Sequence, residues 1–183
     1  LAFLGRCGVL ARLVPGRVAP VRDMRIFGDD GKSELAFSAY RNGVLELAAI
    51  VEEANLQQAL RQVLDGQTGL VQWRGVECAH AEWGEKTNVL TLSDGRTLEA
   101  RLVVAADGAG SKLRAAAGIE ARLHAYGQKG VVANFQVERP HQDIARQWFR
   151  TDGILALLPL PGRHVSMVWS TADSHAQSLL ALD

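Results

Sequence analysis

Residues 100–119 read ARLVVAADGAGSKLRAAAGI and carry the strongest structural signal in the chain. Their apolar run, 102–106, has no alternating polar residues, which is typical of a strand buried on both faces. A helical pattern then covers residues 112–117. The segment therefore predicts a buried strand over 97–106 that leads through a tight turn into a short helix.

The turn between that strand and helix contains the residues best suited to binding a ligand. In open α/β layers, ligands bind outside the carboxyl ends of strands. Gly108 and Gly110 let backbone N–H groups approach a ligand closely, and Ser111 can cap a helix whose free N–H groups suit phosphate oxygens. Asp107 offers an acceptor for a ribose or ribityl hydroxyl, and Arg114 is placed to pair with an anion or with Asp107. A plain strand-to-helix turn with a capped helix explains the same spacing, so both interpretations stay open.

The rest of the chain predicts an α+β fold. We expect helices over 1–14, 51–64 and 172–182, a hairpin of strands 23–27 and 34–40, and a β meander over 70–81, 87–92 and 97–106. Alternating patterns predict further strands around 131–138, 144–149, 154–158 and 165–169.

Composition excludes several classes of protein. The 183 residues hold 20 Lys and Arg against 20 Asp and Glu, so a nucleic-acid-binding function, which favours a basic chain, is not expected. Cys7 and Cys78 predict reduced thiols, and the five histidines lack metal-ligand spacing, so no metal site is expected. No GxSxG motif accompanies Ser111, which argues against a hydrolase. No apolar run is long enough to span a bilayer.

Several motifs occur in an order that is specific to one family. VVAADGAGSKLR at 103–114 resembles the Asp-Gly motif of para-hydroxybenzoate-hydroxylase-like, FAD-dependent aromatic-ring monooxygenases. Further segments resemble the branch that hydroxylates ubiquinone precursors: VEEANLQQAL at 51–60, YGQKGVVAN at 126–134, ERPH at 138–141, ARQWF at 145–149, GILALLPL at 153–160 and SMVWS at 166–170.

This resemblance implies an enzyme that uses FAD, NAD(P)H and O₂ to hydroxylate the ring of a polyprenylated phenol or quinol. It implies Asp107, Gly108, Ser111 and Arg114 as cofactor-binding residues; no catalytic residue is assigned, because the flavin carries the oxygen chemistry. It also implies a cytoplasmic protein, with peripheral contact to the inner membrane or to a ubiquinone-biosynthesis complex. The alternative is a non-catalytic quinone-binding or assembly module on the same scaffold.

The family's GxGxxG unit and its late Gly-Asp segment do not occur in this sequence, so we expect an internal portion of a longer protein. The resemblance implies a partial FAD-binding domain over 1–120, interrupted by a substrate-domain hairpin at about 21–45, and a partial antiparallel substrate-binding domain over 121–183. Glu53 stands where relatives often carry Asn, Gln or Arg near the flavin.

Four further side chains have two interpretations each. Trp148, Phe149 and Trp169 are candidates for a substrate cavity or for ordinary sheet core. His141 is a candidate site residue or a turn histidine.

Overall fold

The computed structural model describes residues 1–182, which form two units. The first comprises Leu1–Thr68 together with the residues from Ala125 onward, and the second is Gly69–His124. Both contain helices and antiparallel strands, so the predicted α+β class is confirmed. None of the helices within residues 1–182 is long and apolar enough to cross a membrane.

The N-terminal part of the first unit packs around helix α2. It contains α1 (Ala2–Arg6), 3₁₀ turns at Leu10–Arg12 and Pro15–Arg17, a two-stranded antiparallel sheet of β1 (Val18–Val21) and β4 (Ala48–Val51), and α2 (Glu53–Asp65). Val9 and Leu13 pack on Ala59 of α2, which is fully buried. The predicted helix over 1–14 is confirmed only over Ala2–Arg6, because Gly8 adopts a φ of 73° that does not continue the helix. The predicted helix over 51–64 is confirmed with a slightly later start.

Asn55 holds the chain entering β1 against α2. Its side-chain Oδ1 accepts a hydrogen bond from the Val14 N–H at 3.0 Å, and its Nδ2 donates to the Val14 carbonyl at 3.4 Å. The asparagine is buried, as polar side chains usually are only when hydrogen-bonded, and the backbone of Val14 supplies a partner for both of its polar groups.

A six-stranded sheet dominates the first unit. Its spatial order is β3-β2-β9-β10-β11-β8, and every neighbouring pair is antiparallel except β2 with β9. The strands are β2 (Asp23–Phe27), β3 (Glu34–Ser38), β8 (Gln128–Gln136), β9 (Ile144–Arg150), β10 (Gly153–Leu160) and β11 (His164–Ala172). Helix α4 (Asp173–Leu180) follows and packs against β8 and β11. The predicted hairpin and the four predicted C-terminal strands are confirmed.

The strand register assigns side chains to two faces of this sheet. Trp148, Leu155 and Trp169 lie in one row on what we term the Trp148 face. Phe149 and Ile154 lie opposite each other on the other side, the Phe149 face. The sheet therefore separates the aromatic residues of the ARQWF motif onto different sides.

The second unit is built on a three-stranded antiparallel meander. Its strands are β5 (Cys78–Glu82), β6 (Asn88–Leu92) and β7 (Thr97–Ala100), and a short helix α3 (Lys112–Ala116) follows. The predicted strand over 70–81 was wrong for most of its length, because residues 70–77 take no strand conformation. Trp73, which that strand was expected to contain, instead stacks under the Arg96 guanidinium at 4.9 Å from the ring centroid.

Candidate functional site

Asp107 and Ser111 form a hydrogen-bonded corner at the start of α3. The Ser111 hydroxyl donates to Oδ1 of Asp107, and the Leu113 N–H donates to Oδ2 at 3.2 Å. The Ser111 contact stabilises the carboxylate and lowers the pKa of Asp107 below its usual value. The predicted acceptor is therefore present and charged at neutral pH.

Ser111 also caps α3, as the sequence predicted. Its Oγ accepts a hydrogen bond from the Arg114 N–H at 2.9 Å, and the residue is buried. Because its hydroxyl donates to an aspartate and accepts from the backbone, it takes no part in a Ser-His arrangement. The structure thus brings Asp107, Ser111 and Arg114 together through the first turn of α3.

Arg114 is turned towards its own loop. Its Nη2 donates to the Ala109 carbonyl at 3.0 Å, so the guanidinium contacts neither oxygen of the Asp107 carboxylate. The suggested pairing of Arg114 with Asp107 is therefore not found, and an anion as its partner stays a prediction.

The glycine backbone of the corner is open. Gly108 has a φ of 86°, and a Cβ added to Gly108 or Gly110 would meet no atom within 4 Å. Both residues are exposed. The backbone therefore offers space for the close approach of a ligand, as a phosphate- or sugar-binding loop requires.

A cavity of about 430 Å³ adjoins this corner, and Asp107 and Gly110 contribute to its lining. The Lys112 Nζ donates to Glu77 at 2.7 Å at its rim. This ion pair lowers the pKa of Glu77 and raises that of Lys112. The remaining lining comes from Val76, Cys78 and Leu113. Sequence reasoning missed the pair, since 35 residues separate its members and no local pattern relates them.

The strand expected over 97–106 is confirmed only for Thr97–Ala100, and the buried part expected directly before Asp107 was wrong. β7 ends at Ala100, residues 102–106 form no strand, and the side chains of Leu102 and Val104 are 78% and 75% exposed. An apolar run becomes a buried strand only where neighbouring strands pair with it and side chains cover it. No strand within residues 1–182 pairs with this run.

The other candidates divide between packing and exposure. Trp148 stacks on Phe27 with centroids 5.4 Å apart, and Trp169 packs edge-on against His175 at 5.1 Å. These tryptophans take part in the packing of the Trp148 face, whereas Phe149 is half exposed on the other side.

His141 is a turn histidine in the structure. Its Nε2 lies 2.8 Å from the Leu160 carbonyl, and its Nδ1 accepts from the Asp143 N–H at 3.0 Å. Both ring nitrogens are thus used to hold the loop before β9.

Two solved structures share this fold, and one of them is a complex with FAD. Pseudomonas aeruginosa PqsL, crystallised in complex with 2-aminobenzoylacetate, matches with a TM-score of 0.80 and 20% identity, over 98% of this chain and 50% of that one. Klebsiella pneumoniae HpxO, complexed with FAD and uric acid, matches with a TM-score of 0.65 and 18% identity, over 92% and 43% of the two chains. The fold is that of flavin-dependent monooxygenase structures.

A family model described as FAD binding domain matches residues 48–181, and the chain belongs to this family. The ubiquinone hydroxylase UbiL of Rhodospirillum rubrum is 46% identical over 92 residues, which are 50% of this chain and 21% of the relative. The ubiquinone biosynthesis monooxygenase COQ6 of Danio rerio is 30% identical over 99% of this chain. The chain spans 39% of that relative's length. The resemblance to the ubiquinone-biosynthesis branch is confirmed.

Proposed function

We propose that the chain is part of an FAD-dependent monooxygenase that hydroxylates the ring of a polyprenylated phenol or quinol in ubiquinone biosynthesis. Its relatives UbiL and COQ6 carry names of that activity, and the family binds FAD. NAD(P)H would supply two electrons and O₂ the oxygen, one atom entering the ring and the other leaving as water. The bound flavin supplies this redox chemistry.

The observation that carries this proposal is the open corner at Asp107. A charged carboxylate, a capping serine and two glycines with free space above their backbone lie together at the surface of the second unit. We assign Asp107 to a ribose or ribityl hydroxyl, Gly108 to close backbone approach, and Ser111 to fixing the Asp107 carboxylate in place. Arg114 would release its hydrogen bond to the Ala109 carbonyl and donate to an anionic group of the cofactor instead.

The Phe149 face of the large sheet suits a lipid-like aromatic substrate. Phe149 is half exposed there, and Ile154 lies across from it on β10. Phe37 of β3 and Val132 of β8 extend the exposed apolar surface towards the two edges of the sheet. We assign residues 121–183 and the hairpin at 21–45 to substrate binding, and the remainder of 1–120 to FAD. Access to a polyprenylated substrate would place the enzyme in the cytoplasm with peripheral contact at the membrane.

The test is flavin retention by the longer protein that contains this chain. We expect that protein to purify yellow, with the visible absorbance of oxidised flavin, and Asp107→Ala to lower the bound fraction. Asp94→Ala is the matched control, because Asp94 is a carboxylate of the same unit that pairs with Arg96 in a turn. A colourless protein that takes up no added FAD would defeat the enzyme proposal. If that protein bound a quinone, the non-catalytic module would replace it.

A further inference from the structure

A second cavity, of about 570 Å³, lies in the first unit on the Trp148 face of the large sheet. Its apolar lining comes from Val137, Pro140, Ile144, Leu157 and Val165. Arg139 and Arg146 contribute the charged lining, and no carboxylate is among the residues that line it. The cavity thus combines an apolar surface with two cations.

Arg146 is half-buried and its charge is not compensated. No hydrogen bond or ion pair joins its guanidinium to any of residues 1–182, whereas Arg150, on the same strand and face, pairs with Asp152 at 2.7 Å. A half-buried guanidinium without a counter-charge is a favourable partner for an anion, because charge-assisted hydrogen bonds to a carboxylate are stronger than neutral ones. The Arg146 side chain is therefore suited to pair with an anionic ligand.

The strand register adds to this excess of positive charge. Arg25 of β2 lies directly opposite Arg146 of β9, and like charges at opposed positions of a sheet repel each other. Glu34 neutralises Arg25 at 3.4 Å. Arg146 has no equivalent partner among residues 1–182, so an anion bound beside it would relieve the repulsion.

The loop beside the cavity is fixed in place. The His141 Nε2 donates to the carbonyls of Leu160 and Gly162, at 2.8 and 3.0 Å, which leaves its Nδ1 to accept from the Asp143 N–H. The Asp143 carboxylate lies 3.6 Å from Arg22 and is the acid nearest to this loop's histidine. Asp143 thus pairs with Arg22, and no ion pair joins it to Arg146 within residues 1–182.

We propose that this cavity binds a small organic carboxylate with an apolar ring, the carboxylate pairing with Arg146 and Arg139 and the ring packing on Ile144, Leu157 and Val165. A planar guanidinium matches a carboxylate through two parallel hydrogen bonds. The volume falls within the range of about 300–1,000 Å³ that is usual for small-molecule sites. The site involves no flavin and no residue of the Asp107 corner.

Benzoate is the probe, titrated into the 183-residue chain and followed by amide shifts in heteronuclear NMR spectra. We expect saturable shifts at Ile144, Arg146 and Leu157. Arg146→Gln should weaken the affinity at least about tenfold, because it removes the charge-assisted hydrogen bonds of one of the two guanidiniums. Arg146→Lys keeps the charge and should lose less than Arg146→Gln does.

Arg150→Gln is the matched control, since it removes a guanidinium from the same strand and face but outside the cavity; its affinity should stay within about twofold of the parent. Inorganic phosphate has the anionic charge without a ring, and benzyl alcohol has the ring without a charge. Both should compete with benzoate only weakly.

The proposal is overturned if benzoate produces no saturable shifts, if Arg150→Gln weakens binding as much as Arg146→Gln, or if phosphate competes as well as benzoate. It is also overturned if the longer protein binds no benzoate while the chain does, because segments of the longer protein outside this chain would then fill the cavity. Circular dichroism of each variant distinguishes lost binding from lost folding.

Discussion

The hydroxyl of Ser111 performs two tasks at once. It donates to Asp107 and accepts from the Arg114 N–H, so one side chain both caps α3 and orients the proposed cofactor ligand. Because the hydroxyl is buried, water cannot fully replace it when it is removed.

Ser111→Ala should therefore cost about 1 kcal/mol of unfolding free energy, the usual effect of deleting a helix cap. The pKa of Asp107 should rise towards its ordinary value of 3.8, since its largest stabilising contact is lost. Urea denaturation and an NMR titration of the Asp107 carboxyl measure the two effects. Ser111→Thr retains the hydroxyl and serves as the control. An unchanged Asp107 pKa in Ser111→Ala would contradict the geometry described here.

Asp30 gives the chain a pH-sensitive turn between β2 and β3. Its Oδ1 accepts from the N–H groups of Lys32 and Ser33, at 3.0 and 2.8 Å, and its Oδ2 from the Ser33 hydroxyl at 2.6 Å. These bonds, with the Ser33 hydroxyl first, lower the pKa of Asp30 to about 2. Only the ionised carboxylate accepts all three.

The stabilisation of this turn should be complete above pH 3.8, the ordinary value, and should be lost as the pH falls towards about 2. Carbon-detected NMR titration of Asp30 should give that low midpoint, and amide exchange at Lys32 and Ser33 should accelerate over the same interval. In Ser33→Ala the midpoint should move upward. A midpoint near 3.8 in the parent chain would show that the turn is not formed in solution.

At the level of elements, the pairing of β10 with β11 requires a glycine where it begins. Gly153 has a φ of 133°, and a Cβ there would lie 2.0 Å from the Ser170 carbonyl oxygen. Neither strand can shift easily, because β9 pairs with the other side of β10 and β8 with the other side of β11.

Gly153→Ala should destabilise the first unit by about 3 kcal/mol or more, since it combines backbone strain with a steric clash in a paired strand. Gly130→Ala is the control: it lies in β8 of the same sheet, and nothing lies within 4 Å of its added Cβ. Thermal unfolding of the two variants should separate them clearly. Equal midpoints would mean that the register at Gly153 differs from the one described.

Local patterns predicted the elements that local forces determine. Helix α2, the β2–β3 hairpin and the Asp107–Ser111 corner all depend on periodicity, turn residues or a cap within a few positions, and each was found. The strand expected over 97–106 formed only over Thr97–Ala100, because an apolar run indicates a requirement for burial but not which neighbours provide it. The Glu77–Lys112 pair and the unpartnered Arg146 arise from tertiary contacts that no short pattern encodes.

On the scale of the whole molecule, the apolar run at 102–106 is the segment whose exposed side chains most require cover from additional polypeptide. Leu102 and Val104 are largely exposed immediately before the corner assigned to FAD. Exposed adjacent apolar side chains are characteristic of interaction or aggregation sites. The chain matches 39% of the length of a full relative, so under the proposed function the longer protein supplies the missing cover.

The double variant Leu102→Ser with Val104→Ser should consequently have opposite effects in the two contexts. In the 183-residue chain it removes exposed apolar surface, so light scattering should show less association. In the longer protein it removes two buried side chains, and the unfolding free energy should fall by about 3 kcal/mol or more, with loss of bound flavin. Ile119→Ser with Leu123→Ser is the control, because these side chains are also exposed in the same unit but lie outside the apolar run. The contrary result is a longer protein that loses no more stability from the Leu102 and Val104 changes than from the control pair. Residues 102–106 would then not be a buried strand there. The Asp107 corner would in that case not lie at the end of such a strand, which its proposed role requires.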